Sequence, residues 1–244
     1  MATIFDEIDK RTANVYGIWG HLGGGKTLTA VDIMLHALQV GWSVTSNVKL
    51  VHLLPSSSGR YTYVEDFANQ DFWALPQGAP RGSADPYRSC IVIDECAEFF
   101  DQYSSTSPQV KSFLSWLRHS SKRGQFVFLI VQQPEFIAKA LRLLVNKWIV
   151  CFDLEQVRLP IIRIRLPFCG GFVARKVFDR WGNNISRGLC MANKIDIGYY
   201  YSTSQCLSSE HASEGEFVKD AALPYRNSMA FFAVLFAIYI FWWL

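Results

Sequence analysis

The stretch GIWGHLGGGKTLTAVDIML, residues 17–35, constrains the fold more than any other part of the chain. Gly20, Gly25, Lys26 and Thr27 satisfy the pattern G-x-x-x-x-G-K-[ST], in which glycines let the backbone bend until successive N–H groups face a phosphate. Given this composition, chance yields the pattern about 0.006 times in a chain of this length. The loop Gly20, His21, Leu22, Gly23, Gly24, Gly25, Lys26 and Thr27 is therefore read as the cradle of a nucleoside triphosphate, ATP. Lys26 would reach the β and γ phosphates, and Thr27 would ligate Mg²⁺. A helix beginning near Lys26 would aim its positive end at the same anion. The flanks agree: NVYGIW reads as a short buried strand, and Leu28, Val31, Ile33, Leu35 and Leu38 give the following segment a helical apolar face.

A strand ending in acids follows about 70 residues later. SCIVIDECAEFF, residues 89–100, is apolar up to Asp94 and Glu95, which suits a central parallel strand whose C-terminal end points at a ligand crevice. Asp94 is placed to hold Mg²⁺, and Glu95 to orient or deprotonate an attacking water. QFVFLIVQQP, residues 125–134, repeats the form and releases Gln132 and Gln133 at its end, where an amide could sense the γ phosphate. Between these, residues 42–50 read as another strand, 51–89 as a loop-rich insert, and 110–124 as an amphipathic helix with a basic end. The expected fold class is α/β: a P-loop NTPase with a mostly parallel sheet covered by helices on both faces.

Composition adds boundaries. The 244 residues can bury one sizeable core, and a net charge of +3 does not by itself announce nucleic-acid binding. Cysteines 90, 96, 151, 169, 190 and 206 include no C-x-x-C pair and read as reduced thiols. The first fifteen residues carry both charges and no apolar run, so the bulk of the chain is expected in the cytoplasm.

GHLGGGKT, TSNV, IVIDECAEFF, FLSWLRHSSKRGQFVFLIVQQPEFIAKALRLLV and IGYYYSTSQ, in this order, resemble the zonula occludens toxin-like ATPases, inner-membrane morphogenesis proteins of filamentous phages. The resemblance spans residues 13–206. It implies ATP as fuel, homo-oligomerisation at the host inner membrane, other phage assembly proteins as partners, and virion assembly or extrusion coupled to phage DNA. Related ATPases pump DNA as hexamers, some of them packaging icosahedral phages with an internal membrane. Within this resemblance Arg118 is the first candidate for a guanidinium that reaches a neighbouring subunit's γ phosphate, with Arg123 the second. A solvated basic helix end accounts for the same two residues together with His119 and Lys122.

From residue 147 to 206 short β-branched and aromatic runs suggest a β-rich extension that completes the sheet or forms a hairpin. Arg158, Arg163, Arg165, Arg175, Lys176 and Arg180 form a basic set interleaved with aromatics there, able to track a phosphate backbone or to face water along an antiparallel edge. Residues 207–228 read as a polar linker. MAFFAVLFAIYIFWWL, residues 229–244, carries no charge and reads as a C-terminal transmembrane anchor, with Arg226 on its inner side. The chain is thus expected to be a single-pass, membrane-anchored ATP hydrolase, with a genome-packaging ATPase and an ATP-gated scaffold as alternatives.

Overall fold

The computed structural model describes residues 14–52, 59–78, 88–104, 106–154, 171–186 and 190–201. In chain order its elements are β1 (Val15–Trp19), α1 (Lys26–Gln39), β2 (Ser43–Ser46), β3 (Arg60–Tyr63), β4 (Ser89–Ile93), α2 (Cys96–Phe99), α3 (Pro108–His119), β5 (Gln125–Val131), α4 (Lys139–Arg142), β6 (Lys147–Asp153), β7 (Phe172–Asp179), β8 (Cys190–Asn193) and α5 (Lys194–Gly198). The strands form one sheet in the order β3-β2-β4-β5-β1-β6-β7-β8. The first six run parallel, whereas β7 and β8 are each antiparallel to the strand before them.

The apolar runs of β4 and β5 follow from burial on both sides. On β5, Phe126, Phe128 and Ile130 face a core shared with Ile33, Met34 and Leu38 of α1. Val127, Leu129 and Val131 face Phe113, Trp116 and Leu117 of α3. Helices therefore cover both faces, as the sequence suggests. Helix α3 starts where Ser107 accepts a hydrogen bond from the Val110 N–H at 3.2 Å, with Pro108 in the first turn. It stops at His119, short of the expected 124, because the chain turns through Gly124 at φ 64° to enter β5.

Two expectations change. The insert after residue 50 contributes the edge strand β3, and its Phe67, Phe72 and Leu75 are buried, Phe72 lying 4.8 Å from the Phe113 ring and 5.2 Å from that of Trp116. Four residues with partly exposed side chains make too weak a period for a strand to be read from them. Arg175, assigned to a basic surface set, is instead 1% exposed. It shares a face of β7 with Val173 and Val177, and its guanidinium is ion-paired with Asp32 of α1 and donates to the Met191 carbonyl at 3.3 Å. Strands β6, β7 and β8 complete the main sheet. Arg158, Arg163, Arg165, the polar linker and the run 229–244 lie outside the described residues. Among the described residues no helix is long and apolar enough to cross a membrane.

Candidate active site

Strand order creates the site. β5 stands between β1 and β4, so the ends of these three parallel strands bring the glycine loop, Gln132 and the acidic pair to one edge. Gly25 adopts φ 84°, left-handed backbone that favours glycine, and at Gly20 a Cβ would sit 2.4 Å from the Cys151 carbonyl oxygen. The loop is closed by the Gly24 N–H, which donates to the His21 carbonyl at 2.9 Å. Lys26 is buried, and its ammonium donates to the carbonyls of Gly20 and His21, each at 3.1 Å.

The donor set fits a phosphate ester. Among the described residues no side chain caps the fourteen-residue helix α1, and no acid occupies its first turn, so its leading amides face the loop, while the Lys26 charge also acts on Asp94 and Glu95. The Thr27 hydroxyl donates to Asp94 Oδ2 at 2.8 Å. Those two oxygens suit Mg²⁺, which takes one or two protein ligands and completes its shell with phosphates and water. Among the described residues no three His, Cys, Asp or Glu side chains gather into a separate metal site.

Burial raises the Asp94 carboxyl above its ordinary range; the Thr27 hydroxyl, the Glu95 N–H and the Lys26 charge oppose that without cancelling it. Glu95 is also raised, first by burial and then by the Asp94 charge, against the pull of Lys26 and of a hydrogen bond with Gln132. Glu95 is the one non-glycine residue among those described with positive φ, at 49°. Gln132 and Gln133 are both exposed, and of the two it is Gln132 that lowers the Glu95 pKa. Sequence reasoning missed Asn47, whose carboxamide pairs with both main-chain groups of Asp94. Its signal was an amide directly after a buried strand, in TSNV.

The two arginines separate. The Arg123 guanidinium donates to the Trp73 carbonyl at 2.6 Å and lies over the Trp73 ring at 5.4 Å, tied to its own chain's insert. Arg118 is exposed on the last turn of α3 and has no ion-pair partner among the described residues. Ser120, two residues on, accepts from Asn14, which precedes β1, so Arg118 lies at the end of the sheet opposite the glycine loop. The seven residues of β5 put about 20 Å between those ends. His119 Nδ1 sits 2.8 Å from the Ser115 carbonyl, within its own helix.

Beside the loop, on the α3 side of the sheet, a cleft of about 500 Å³ is walled by Trp19, His21, Trp148, Phe152, Phe178 and Trp181. Trp181 is 79% exposed, and the Arg180 guanidinium lies 5.0 Å from its ring centre.

The family profile described as "Zonular occludens toxin (Zot)" matches residues 14–177. The chain is 28% identical over 156 residues to the Gene 1 protein of Escherichia phage If1, covering 61% of this chain and 44% of that protein. With the Gene 1 protein of Enterobacteria phage I2-2 the identity is 30%, over 61% of this chain and 42% of the relative. The chain spans less than half the length of these curated relatives. Among solved structures, the N-terminal domain of zonular occludens toxin from Neisseria meningitidis aligns with a TM-score of 0.48 at 18% identity, over 78% of this chain and 99% of that one. The genome packaging NTPase B204 of Sulfolobus turreted icosahedral virus 2, in complex with AMPPCP, aligns at 0.43 and 13% identity, over 76% and 99%.

Proposed function

The chain belongs to the zonular occludens toxin (Zot) family, and on that premise we propose that it is a P-loop ATPase that drives phage virion assembly and extrusion as a homo-oligomer at the host inner membrane. The observation that carries the reading is the 2.8 Å contact between Thr27 and Asp94, two residues 67 positions apart that meet beside the buried Lys26. An ordinary glycine turn before a helix gives no reason for a threonine and a desolvated aspartate to converge there.

In this reading the loop amides and Lys26 hold the triphosphate of ATP. Thr27 and Asp94 would hold Mg²⁺, which would supply positive charge against the phosphate oxygens. Glu95 accepts the proton of the attacking water, and its raised pKa makes it a better acceptor than a solvated glutamate. Gln132, whose amide favours the charged form of that carboxylate, stands at the end of β5 to sense the γ phosphate. Arg118 serves a neighbouring subunit, since its own site lies at the far end of the sheet. Residues 229–244 anchor the chain with the ATPase domain on the cytoplasmic side. Phage DNA is the cargo, and Trp181 with Arg180 offers a ring and a charge suited to a stacked base and its phosphate.

Phosphate release by the full chain, compared with Lys26→Ala and Glu95→Gln, tests this. The expected result is Mg²⁺-dependent turnover in the wild type and its loss in both variants. Tight binding of Mg²⁺–ATP with no turnover would overturn the motor and leave an ATP-gated scaffold.

A further inference from the structure

Every polar atom of Asp94 has a partner. Oδ2 accepts from Thr27 at 2.8 Å and Oδ1 from the Glu95 N–H at 2.9 Å. The remaining two, the main-chain N–H and C=O, both belong to Asn47: the Asp94 N–H donates to Asn47 Oδ1 at 2.7 Å, and Asn47 Nδ2 donates to the Asp94 carbonyl at 2.9 Å. The ladder between β2 and β4 ends at Ser46 and Val92. Just beyond it, a side-chain amide offers a donor and an acceptor in place of a further ladder pair. Asn47 thus ties the peptide groups on either side of Asp94 to the end of β2. The next residue, Glu95, departs into left-handed backbone, a conformation that persists where the surroundings hold it.

We propose that Asn47 is a positioning residue for the Mg²⁺–nucleotide site: acting through the Asp94 main chain, it sets the carboxylate against Thr27 and directs the turn that presents Glu95. The inference rests on the ATPase reading and deepens it. Asn47 touches neither phosphate nor water in this scheme. Its effect is confined to the geometry of the metal side of the site, leaving the glycine loop and α1 untouched.

Asn47→Ala removes both hydrogen bonds. Asn47→Asp keeps an acceptor for the Asp94 N–H, but has no donor for the carbonyl and adds a like charge beside a carboxylate whose pKa burial already raises. Thr45→Val, two residues earlier, alters a buried hydroxyl with no hydrogen-bond partner among the described residues and serves as the control for perturbing β2 itself.

The measurement is calorimetric titration of the full chain in detergent with ATPγS, with and without Mg²⁺, alongside thermal unfolding. For both Asn47 variants we expect Mg²⁺-free nucleotide affinity within about twofold of wild type and the Mg²⁺ half-saturation raised about tenfold or more, as when a group that orients a metal ligand is lost. Thr45→Val should match wild type in both. An unchanged Mg²⁺ requirement in Asn47→Ala overturns the proposal. So does a parallel loss of affinity with and without Mg²⁺ that tracks a fall in Tm, which is what a merely structural role gives. A wild type that binds no nucleotide overturns the ATPase reading itself, whereas one that binds but tolerates Asn47→Ala overturns this inference alone.

Discussion

On the proposed ATPase reading Lys26 and Glu95 act at different moments, so their variants should fail differently. Lys26 provides a charge to the bound triphosphate, and Lys26→Ala should abolish ATP binding in an equilibrium titration. Glu95 acts on the attacking water, so Glu95→Gln should keep ATP affinity while slowing turnover about 10²–10⁴-fold, the range for a lost general base. The pH profile carries a second signature. A general base works deprotonated, and burial with the Asp94 charge raises the Glu95 pKa, so turnover should climb with pH along a limb displaced above the usual glutamate range. That limb should be absent from the residual rate of Glu95→Gln. A limb at ordinary glutamate pH would count against the assignment.

Between elements, the buried pair Asp32–Arg175 joins α1 to β7. Burial alone would raise the Asp32 pKa, yet hydrogen bonds from His36 and Arg175 and the arginine charge bring it below normal. The folded-state value is the lower one, so the stabilisation is present above the ordinary carboxylate range and fades as pH falls through that lowered value. Arg175→Leu leaves Asp32 with His36 as its remaining partner and should cost up to about 3–5 kcal/mol at neutral pH, read from urea midpoints, with the deficit shrinking in acid as Asp32 takes a proton. Helix α3 makes a claim between subunits. Arg118→Ala should leave ATP binding intact yet cut turnover about 10³-fold, and mixing it with Lys26→Ala subunits should restore activity at shared interfaces. Absence of rescue at every subunit ratio would return Arg118 to a solvated helix end. How far the sequence discloses this site depends on the range of the pattern. The glycine loop and the acid-ended strand are contiguous motifs in which residue type and spacing state the chemistry. Arg175 was misjudged because charge was weighed before phase: it alternates with Val173 and Val177, which puts it inward, and only the tertiary partner Asp32 makes that tolerable. Asn47 needed the pairing of β2 with β4, which no local period encodes.

For the whole molecule, the sheet and the two cores on its faces are drawn, among the described residues, from positions 15 to 201. A chain ending at Ser228 should therefore stay soluble, bind nucleotide and lose membrane fractionation, while the full chain resists carbonate extraction. Nine of the last sixteen residues are Phe, Val, Leu or Ile, worth roughly 3–5 kcal/mol together near a bilayer centre. Aggregation of the shortened chain would instead make the run a core helix. The strand order also sets a schedule. Val15 of β1 pairs with Val127 of β5, so the partner that completes the nucleotide site is synthesised 127 − 15 = 112 residues after the loop's own strand. At about 5–20 residues per second a ribosome needs roughly 6–22 s to cover that gap. Throughout it both edges of β1 stand open, joined by the inner edge of β4 once that strand has been made, and loop closure is still to be met. A nascent chain should consequently acquire ATP binding abruptly once β5 has emerged, and its dependence on chaperones should be greatest just before.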